Sequence, residues 1–187
     1  RLKNKPEVYM ATVIFRWFNL IETGKTLIKN NLLTDWNPER AYSAIIPQDK
    51  WITGAYMIKS PTGLNKVKGV CQTIDTVWND QEKFKDKFLG GTSLEKMSRF
   101  LEGYPFLGPF LAYELVTDLR YTCYGKICED IRTWANAGPG AMRGLNRIHG
   151  RDLDYTSTRH NWNKEMQGLL SMSTTFYEGP QRNFEMR

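Results

Sequence analysis

The sequence contains few of the residues that bind metals. Its 187 residues include two histidines, His149 and His160, and three cysteines. The cysteines, at positions 71, 123 and 128, do not form the Cys-x-x-Cys pairs of zinc and iron–sulfur sites. We therefore expect no metal site and no cofactor, and we expect the thiols to be buried or incidental.

Long apolar runs are also missing. No run approaches the roughly 20 residues of a transmembrane helix, and the first residues, Arg1–Pro6, lack the apolar core of a signal peptide. These absences favour a cytoplasmic protein without membrane contact. Hydrophobic residues still make up 41% of the chain, which is enough for a packed interior. We expect a single domain over residues 1–187, and a monomer.

Basic residues exceed acidic ones by a modest margin. The chain has 26 Lys and Arg against 20 Asp and Glu, a formal net charge of +6. This balance favours anionic partners, but the basic residues are scattered among acids and form no basic tail. Nucleic acid is compatible with the charge, and charge alone does not establish it.

Helical spacing of apolar residues dominates the sequence, and few alternating runs indicate strands. Residues 8–33 predict one or two helices with a break or bend at Gly24. Further helices are predicted at 64–78, 94–101, 109–121, from about 138, and at 162–172. The predicted fold class is therefore all-α.

A turn rich in glycine and proline, Gly103–Pro109, separates two of these helices. A helix N-terminus after such a turn presents backbone N–H groups to which a phosphate can bind. We therefore predict that this turn holds the backbone of a nucleic acid.

The order of helix, glycine turn, helix and a later Asp resembles the helix-hairpin-helix DNA glycosylase superfamily. The resemblance implies a two-lobed helical domain whose hairpin, near residues 101–121, grips a DNA phosphate through Pro105 and Gly108. Phe106 stands where that superfamily usually has its first hairpin glycine. The resemblance also implies that Asp130 faces a nucleotide flipped out of the duplex.

A smaller branch is more similar. The chain, from about Phe15 onward, resembles the phage-associated α-glutamyl/putrescinyl thymine pyrophosphorylases, or amino acid:DNA transferases. Their helical domain is also found with 5-hydroxymethyluracil DNA kinases. The strings that carry the resemblance are Thr53–Ile58, Gly108–Glu114, Thr117–Thr122 and Thr133–Ala141. It implies that the partner is duplex DNA with a flipped, modified base.

We expect a monofunctional DNA glycosylase, a hydrolase that removes a bulky hydroxymethyl-derived base in defence against phage. A carboxylate beneath the sugar can stabilise its developing positive charge or activate water, and Asp130 is placed for this by the resemblance. Bifunctional relatives carry a lysine nucleophile after the hairpin, where this chain has Pro109, Phe110 and Leu111. A lyase step is therefore not expected.

Two other functions fit the same residue types. One is transfer of an amine or amino acid to pyrophosphorylated 5-hydroxymethyluracil, which needs a base and a cationic clamp for pyrophosphate. The candidate bases are Glu114, Asp118 and Asp130. The candidate clamp residues are Lys66, Arg143 and Arg147, which are also predicted to bind DNA together with Pro105 and Gly108. The other is a non-catalytic DNA-binding module, the helical partner of a kinase domain.

A flipped base needs an aromatic pocket. The aromatic candidates are Tyr56, Tyr113 and Trp134, and Asn136 is a further candidate for the base pocket. Structural roles stay open for the same residues. Asp130 is also suited to capping a helix or pairing with Arg132. Glu114 and Asp118 are also suited to pairing with Arg120 or Arg143, and Gly138–Gly140 to a tight helix start.

Overall fold

The fold is all-helical, as predicted. A computed structural model describes residues 2–55 and 57–176, and these ranges contain nine α-helices, one short 3-10 helix and no strand. The α-helices are α1 Val8–Trp17, α2 Ile21–Lys29, α3 Pro38–Ile45, α4 Lys66–Asn79, α5 Gln81–Phe88, α6 Leu94–Leu101, α7 Pro109–Leu119, α8 Pro139–Ile148 and α9 Arg159–Phe176. None of the described helices is long and apolar enough to cross a membrane.

Several helices begin at residues whose side chains satisfy the first backbone N–H groups. Asn37 accepts a hydrogen bond from the Arg40 N–H at 2.9 Å, and Pro38 occupies the first position of α3. Asn65 caps α4 in the same way through the Val67 N–H at 3.0 Å. These local signals set where the helices start.

Helices α1 to α7 form a body around one continuous apolar cluster. Helix α1 packs against α4 and α7, α3 packs against α4, and α6 packs against α7. Tyr9 of α1 stacks on Phe84 of α5 with ring centroids 3.8 Å apart, and Tyr124 joins the same aromatic group. The α6–α7 hairpin is therefore packed against a buried apolar interior.

Helices α8 and α9 form a second, smaller unit with its own apolar cluster. Its buried members are Ala137, Leu145 and Trp162. Polar contacts join it to the body: the Asn163 side chain donates to the Thr133 carbonyl at 2.8 Å and accepts from the Ala135 N–H at 3.0 Å. The two-lobed helix-hairpin-helix glycosylase arrangement remains a prediction.

Of the break or bend predicted at Gly24, the break is wrong. Helix α1 ends at Trp17 and α2 begins at Ile21, so Gly24 lies inside α2. A Cβ atom at Gly24 would lie 2.7 Å from Phe15 Cε1, a separation that two carbon atoms do not tolerate. Glycine is therefore present because the Phe15 ring packs directly on the α2 backbone. The last helix also extends beyond the predicted 162–172.

Candidate nucleic-acid interface

The turn between α6 and α7 leads to a helix start that no side chain caps. Gly108 precedes α7 in an extended conformation, with φ −69° and ψ 177°, and Pro109 occupies the first helical position. Pro105 and Gly108 are both exposed. The first backbone N–H groups of a helix have no partner within the helix, so this end of α7 can accept an anion.

Phe106 adopts the backbone conformation that glycine favours. Its φ is +62°, in the left-handed region that costs a side-chain-bearing residue about 1–2 kcal/mol. This is the position where the resemblance leads us to expect a glycine. The turn keeps a glycine-like geometry in spite of the half-buried phenyl ring.

A second uncapped helix start lies beside the first. Gly138 precedes α8 with φ −80° and ψ 173°, and Pro139 again occupies the first helical position. No atom lies within 4 Å of a Cβ built on Gly138 or Gly140. The Asn136 side chain donates to the Pro109 carbonyl at 3.4 Å, which brings the segment before α8 against the first residue of α7.

The predicted cations fall in two places. Arg143 and Arg147 are exposed and four residues apart on α8, so they share a face of that helix. Arg143 contacts Asp154 at 3.4 Å, in a pair that is mostly exposed. Lys66 begins α4, which packs mainly on α1, α3 and α5. Lys66 thus lies on a different helix from the other DNA-binding candidates.

Asp130 caps helix α6. Its carboxylate accepts hydrogen bonds from Ser93 Oγ at 2.7 Å and from the backbone N–H groups of Leu94 at 2.7 Å and Glu95 at 3.0 Å. Both carboxylate oxygens thus bind the N-terminus of α6, where the helix dipole also favours a negative charge. The capping role matches the structural alternative, although the capped helix precedes Asp130 by 36 residues.

Glu114 and Asp118 both bind Arg16 of α1. Arg16 donates from Nε and Nη2 to the two oxygens of Asp118, at 2.7 and 2.9 Å, and from Nη1 to Glu114 at 2.9 Å. The expected partners were Arg120 and Arg143. Arg120 is instead buried and donates to the Trp134 carbonyl at 3.1 Å.

The predicted aromatic residues pack on each other. The rings of Tyr113 and Trp134 meet edge to face with centroids 5.6 Å apart. Trp134 is buried, and burial raises the pKa of the Tyr113 phenol. Asn136 follows on the same segment, and Tyr56 lies outside the described residues. The described members of this set thus form a packed corner beside the start of α7.

Sequence reasoning missed an open cavity next to α1. It has a volume of about 690 Å³, within the range of about 300–1,000 Å³ that is typical of small-molecule sites. Its lining includes Phe15, Asn19, Ile28, Thr53 and Asp118. The only sequence signal was indirect, because Thr53 starts one of the strings that carry the family resemblance.

One motif for nucleotide phosphates appears in the sequence without its geometry. Gly24-Lys25-Thr26 matches the end of a phosphate-binding loop, but all three residues lie inside α2. Lys25 pairs with Glu22 at 2.9 Å, and the Thr26 hydroxyl donates to the Glu22 carbonyl at 3.1 Å. This segment therefore forms no loop around a phosphate. Nor do the described ranges contain a group of three or more His, Cys, Asp or Glu arranged to hold a metal ion.

Comparison with known protein families supports the broad branch of the resemblance. Residues 2–180 match the family described as "5-hmdU DNA kinase, helical domain". The chain belongs to this family. Comparisons with curated proteins and with solved structures gave no match.

Membership of the 5-hmdU DNA kinase helical-domain family links the chain to the metabolism of modified bases in DNA. It confirms the resemblance at the level of this broad branch, and membership of the helix-hairpin-helix glycosylase superfamily is not shown. It lends no support to excision of the base by a glycosylase, and the kinase-partner and transferase alternatives lie closer to it.

Proposed function

We propose that this chain binds duplex DNA carrying 5-hydroxymethyluracil and positions that base for phosphoryl transfer to its hydroxymethyl group. The family match supplies the substrate class. The observation that carries the binding role is the pair of uncapped Gly-Pro helix starts, at Gly108 and Gly138, joined by the contact between Asn136 and Pro109.

Each helix start suits a DNA phosphate. The N-terminus of a helix carries about half a positive charge, and its N–H groups point at an approaching anion. Proline at the first position has no N–H, so the donors are amides further into the first turn of α7, such as that of Leu111, and the amides that follow Pro139 in α8. Glycine at the preceding position leaves open space around the approaching phosphate. Arg143 and Arg147 extend the positive field along α8.

The contacts of the three candidate carboxylates favour binding over base excision. A catalytic carboxylate must face the sugar or the attacking water. Asp130 faces the start of α6, and Glu114 and Asp118 face Arg16. The acids thus stabilise the domain, and phosphoryl transfer falls to a kinase centre that this domain serves.

Amine transfer is the second candidate, because Asp118 also lines the cavity beside α1 and its side chain is 44% exposed. A carboxylate at an open cavity can accept the proton of an attacking amine. Incubation with pyrophosphorylated DNA and an amine separates the two: a mass gain on the base supports transfer, and no product without a kinase domain supports the binding role.

The DNA-binding proposal is tested by occupying the helix starts with a negative charge. Gly108→Asp and Gly138→Asp place a capping carboxylate where the backbone is already extended and no atom obstructs the new side chain. We expect an unchanged or higher melting temperature, because Asp is a good N-cap, together with weaker binding to duplex DNA. The slope of log affinity against log salt should fall by about 0.9 for each phosphate that the variant no longer binds.

Two controls separate position from charge. Thr158→Asp adds the same charge at the start of α9, where the Thr158 side chain already accepts the Asn161 N–H, and should leave affinity nearly unchanged. Gly138→Asn supplies a neutral cap and should weaken binding less than Gly138→Asp. Unchanged affinity of the Gly108→Asp/Gly138→Asp double variant would contradict the proposal.

A further inference from the structure

The cavity beside α1 has apolar walls and a polar end. Phe15 and Ile28 face it from α1 and α2, and both are exposed, at 38% and 55%. Asn19, Thr53 and the Arg16–Asp118 pair contribute its polar groups. Apolar walls with a few placed polar groups are typical of sites for small, partly polar ligands.

Asn19 supplies a hydrogen-bond donor that nothing in the described residues uses. Its Oδ1 accepts the Thr53 backbone N–H at 2.7 Å, which fixes the orientation of the amide because a backbone N–H needs an oxygen acceptor. Its Nδ2 is buried and has no partner among the described residues. A buried donor without a partner is destabilising, so an acceptor brought by a ligand would be favourable here.

The charges of the cavity argue against a phosphate as its ligand. The charged side chains in its described lining are Arg16 and Asp118, and they pair with each other. An anionic ligand would have to compete with Asp118 for the Arg16 guanidinium. A neutral, flat ligand with carbonyl oxygens fits better, since it offers an acceptor to Asn19 and faces to Phe15 and Ile28.

The Phe15 ring lies where such a contact is possible. One edge of it packs on the α2 backbone at Gly24, and the side chain is 38% exposed. An aromatic ring can cover the face of a base. Phe15 borders the cavity and also the adjoining groove between α1 and α2.

We propose that this cavity binds an uncharged, 5-substituted pyrimidine base, with Asn19 Nδ2 donating to a ring carbonyl and Phe15 and Ile28 packing on the base. The inference rests on the proposed function for the way in which the base arrives, as part of a DNA strand held at α7 and α8. The site differs from the predicted aromatic corner of Tyr113 and Trp134.

A direct test uses the free nucleoside and the full chain. Titration of ¹⁵N-labelled protein with 5-hydroxymethyl-2′-deoxyuridine should shift the amide signals of Asn19 and Thr53 and the side-chain NH₂ signal of Asn19. Thr53 is a useful reporter because its N–H already binds the Asn19 side chain. Absence of these shifts at millimolar nucleoside, or shifts confined to other helices, would overturn the proposal.

Two substitutions test the named contacts. Asn19→Asp keeps the acceptor for the Thr53 N–H and removes the donor, so it should weaken nucleoside binding by about tenfold, the worth of one hydrogen bond. Phe15→Ala should also weaken it. Asn161→Asp adds the same charge to the exposed first turn of α9 and should change nothing. Equal binding by Asn19→Asp and the unsubstituted chain would overturn the role of Asn19.

Duplex DNA separates this inference from the proposed function. The unsubstituted chain should bind a duplex with one 5-hydroxymethyluracil more tightly than the matching duplex with an abasic site at that position, and Asn19→Asp should lose that preference while it keeps general DNA affinity. No preference in the unsubstituted chain would overturn the base pocket and leave DNA binding standing. Nucleoside binding without DNA binding would support the base pocket and contradict the proposed function.

Discussion

The body formed by α1 to α7 and the unit formed by α8 and α9 are held together by different forces. The body buries a continuous cluster in which Tyr9, Phe84 and Tyr124 pack ring against ring. The smaller unit buries Trp162 with only two further apolar residues among those described. Burial of apolar area therefore stabilises the body, while the smaller unit depends to a greater extent on polar contacts.

Those polar contacts converge on Arg151. Its guanidinium lies 4.7 Å from the Tyr155 ring and 5.3 Å from the Trp162 ring, and it donates to both oxygens of Glu165 at 2.9 and 2.6 Å. Arg159 similarly donates to both oxygens of Glu102, at 2.9 Å each, and ties α9 to the end of α6. Of the two helix starts proposed to bind DNA, that of α7 therefore belongs to the apolar body. That of α8 belongs to the smaller unit, which depends more on polar contacts.

Phe84→Ala should have the largest effect. Phe84 is fully buried and contacts Tyr9, Phe88 and Tyr124, so truncation leaves a cavity that the ring cluster cannot refill. We expect the free energy of global unfolding to fall by about 3–5 kcal/mol, measured by urea denaturation. A loss below about 1 kcal/mol would contradict a body that is stabilised mainly by this cluster.

Trp162→Ala should act locally. Trp162 is the largest buried side chain of the α8–α9 unit and the ring over which Arg151 packs, so its removal should open both helices. We expect amide hydrogens of α8 and α9 to lose protection from exchange while those of α1 to α7 keep theirs. Equal loss of protection in both regions would show that the chain unfolds as one unit and would break the comparison.

Local patterns explain what the sequence predicted well. The predicted helix 94–101 coincides with α6, and the one predicted from 109 begins where α7 begins. Ser93 and the Gly-Pro pair before α7 mark these starts, and such signals act within a few residues. The helical fold class followed from apolar spacing for the same reason.

Contacts between distant residues explain what the sequence did not reveal. Arg16 binds Asp118 across 102 positions, and nothing near Asp118 indicates this choice over Arg120. Glycine usually weakens a helix, so Gly24 was predicted to interrupt one. Its close contact with Phe15 could not be foreseen, because that contact joins a residue of α1 to a residue of α2. The cavity is likewise created by elements that are separate in sequence, so no local pattern encodes it.

Asp130→Asn tests whether a polar contact inside the body acts on global stability. The substitution keeps one acceptor oxygen and removes the charge that faces the start of α6. We expect a loss of about 1–3 kcal/mol in the free energy of unfolding, with duplex affinity retained under conditions where the variant is folded. Unchanged stability together with loss of modified-base chemistry would restore a catalytic role for Asp130.

Acid should unfold the smaller unit of α8 and α9 before it unfolds the body. Hydrogen bonds from Arg151, with its charge and that of His149, lower the pKa of Glu165 from the usual 4.5. A lowered pKa means that this contribution to stability is complete above about pH 4.5 and is lost as the pH falls through the folded-state value. We expect amide signals of α8 and α9 to lose dispersion first as the pH falls below 4.5. Glu165→Gln should remove this pH step, and a step that persists in the variant would assign it to another group.

Two glycines with left-handed backbones offer the smallest and most closely matched comparison. Gly90 follows α5 in the body with φ +89°, and Gly150 follows α8 with φ +63°; a Cβ atom at either would meet nothing within 4 Å. Alanine at each position should therefore add backbone strain alone, about 1 kcal/mol. Gly90→Ala should lower the global melting temperature, whereas Gly150→Ala should raise only the rate of hydrogen exchange in α8 and α9. Since the strain is the same in kind, any difference in how far its effect spreads measures how loosely the smaller unit is coupled to the body. Equal shifts in the melting temperature would mean that the polar contacts at Asn163 and Arg159 couple the two regions as firmly as an apolar core does.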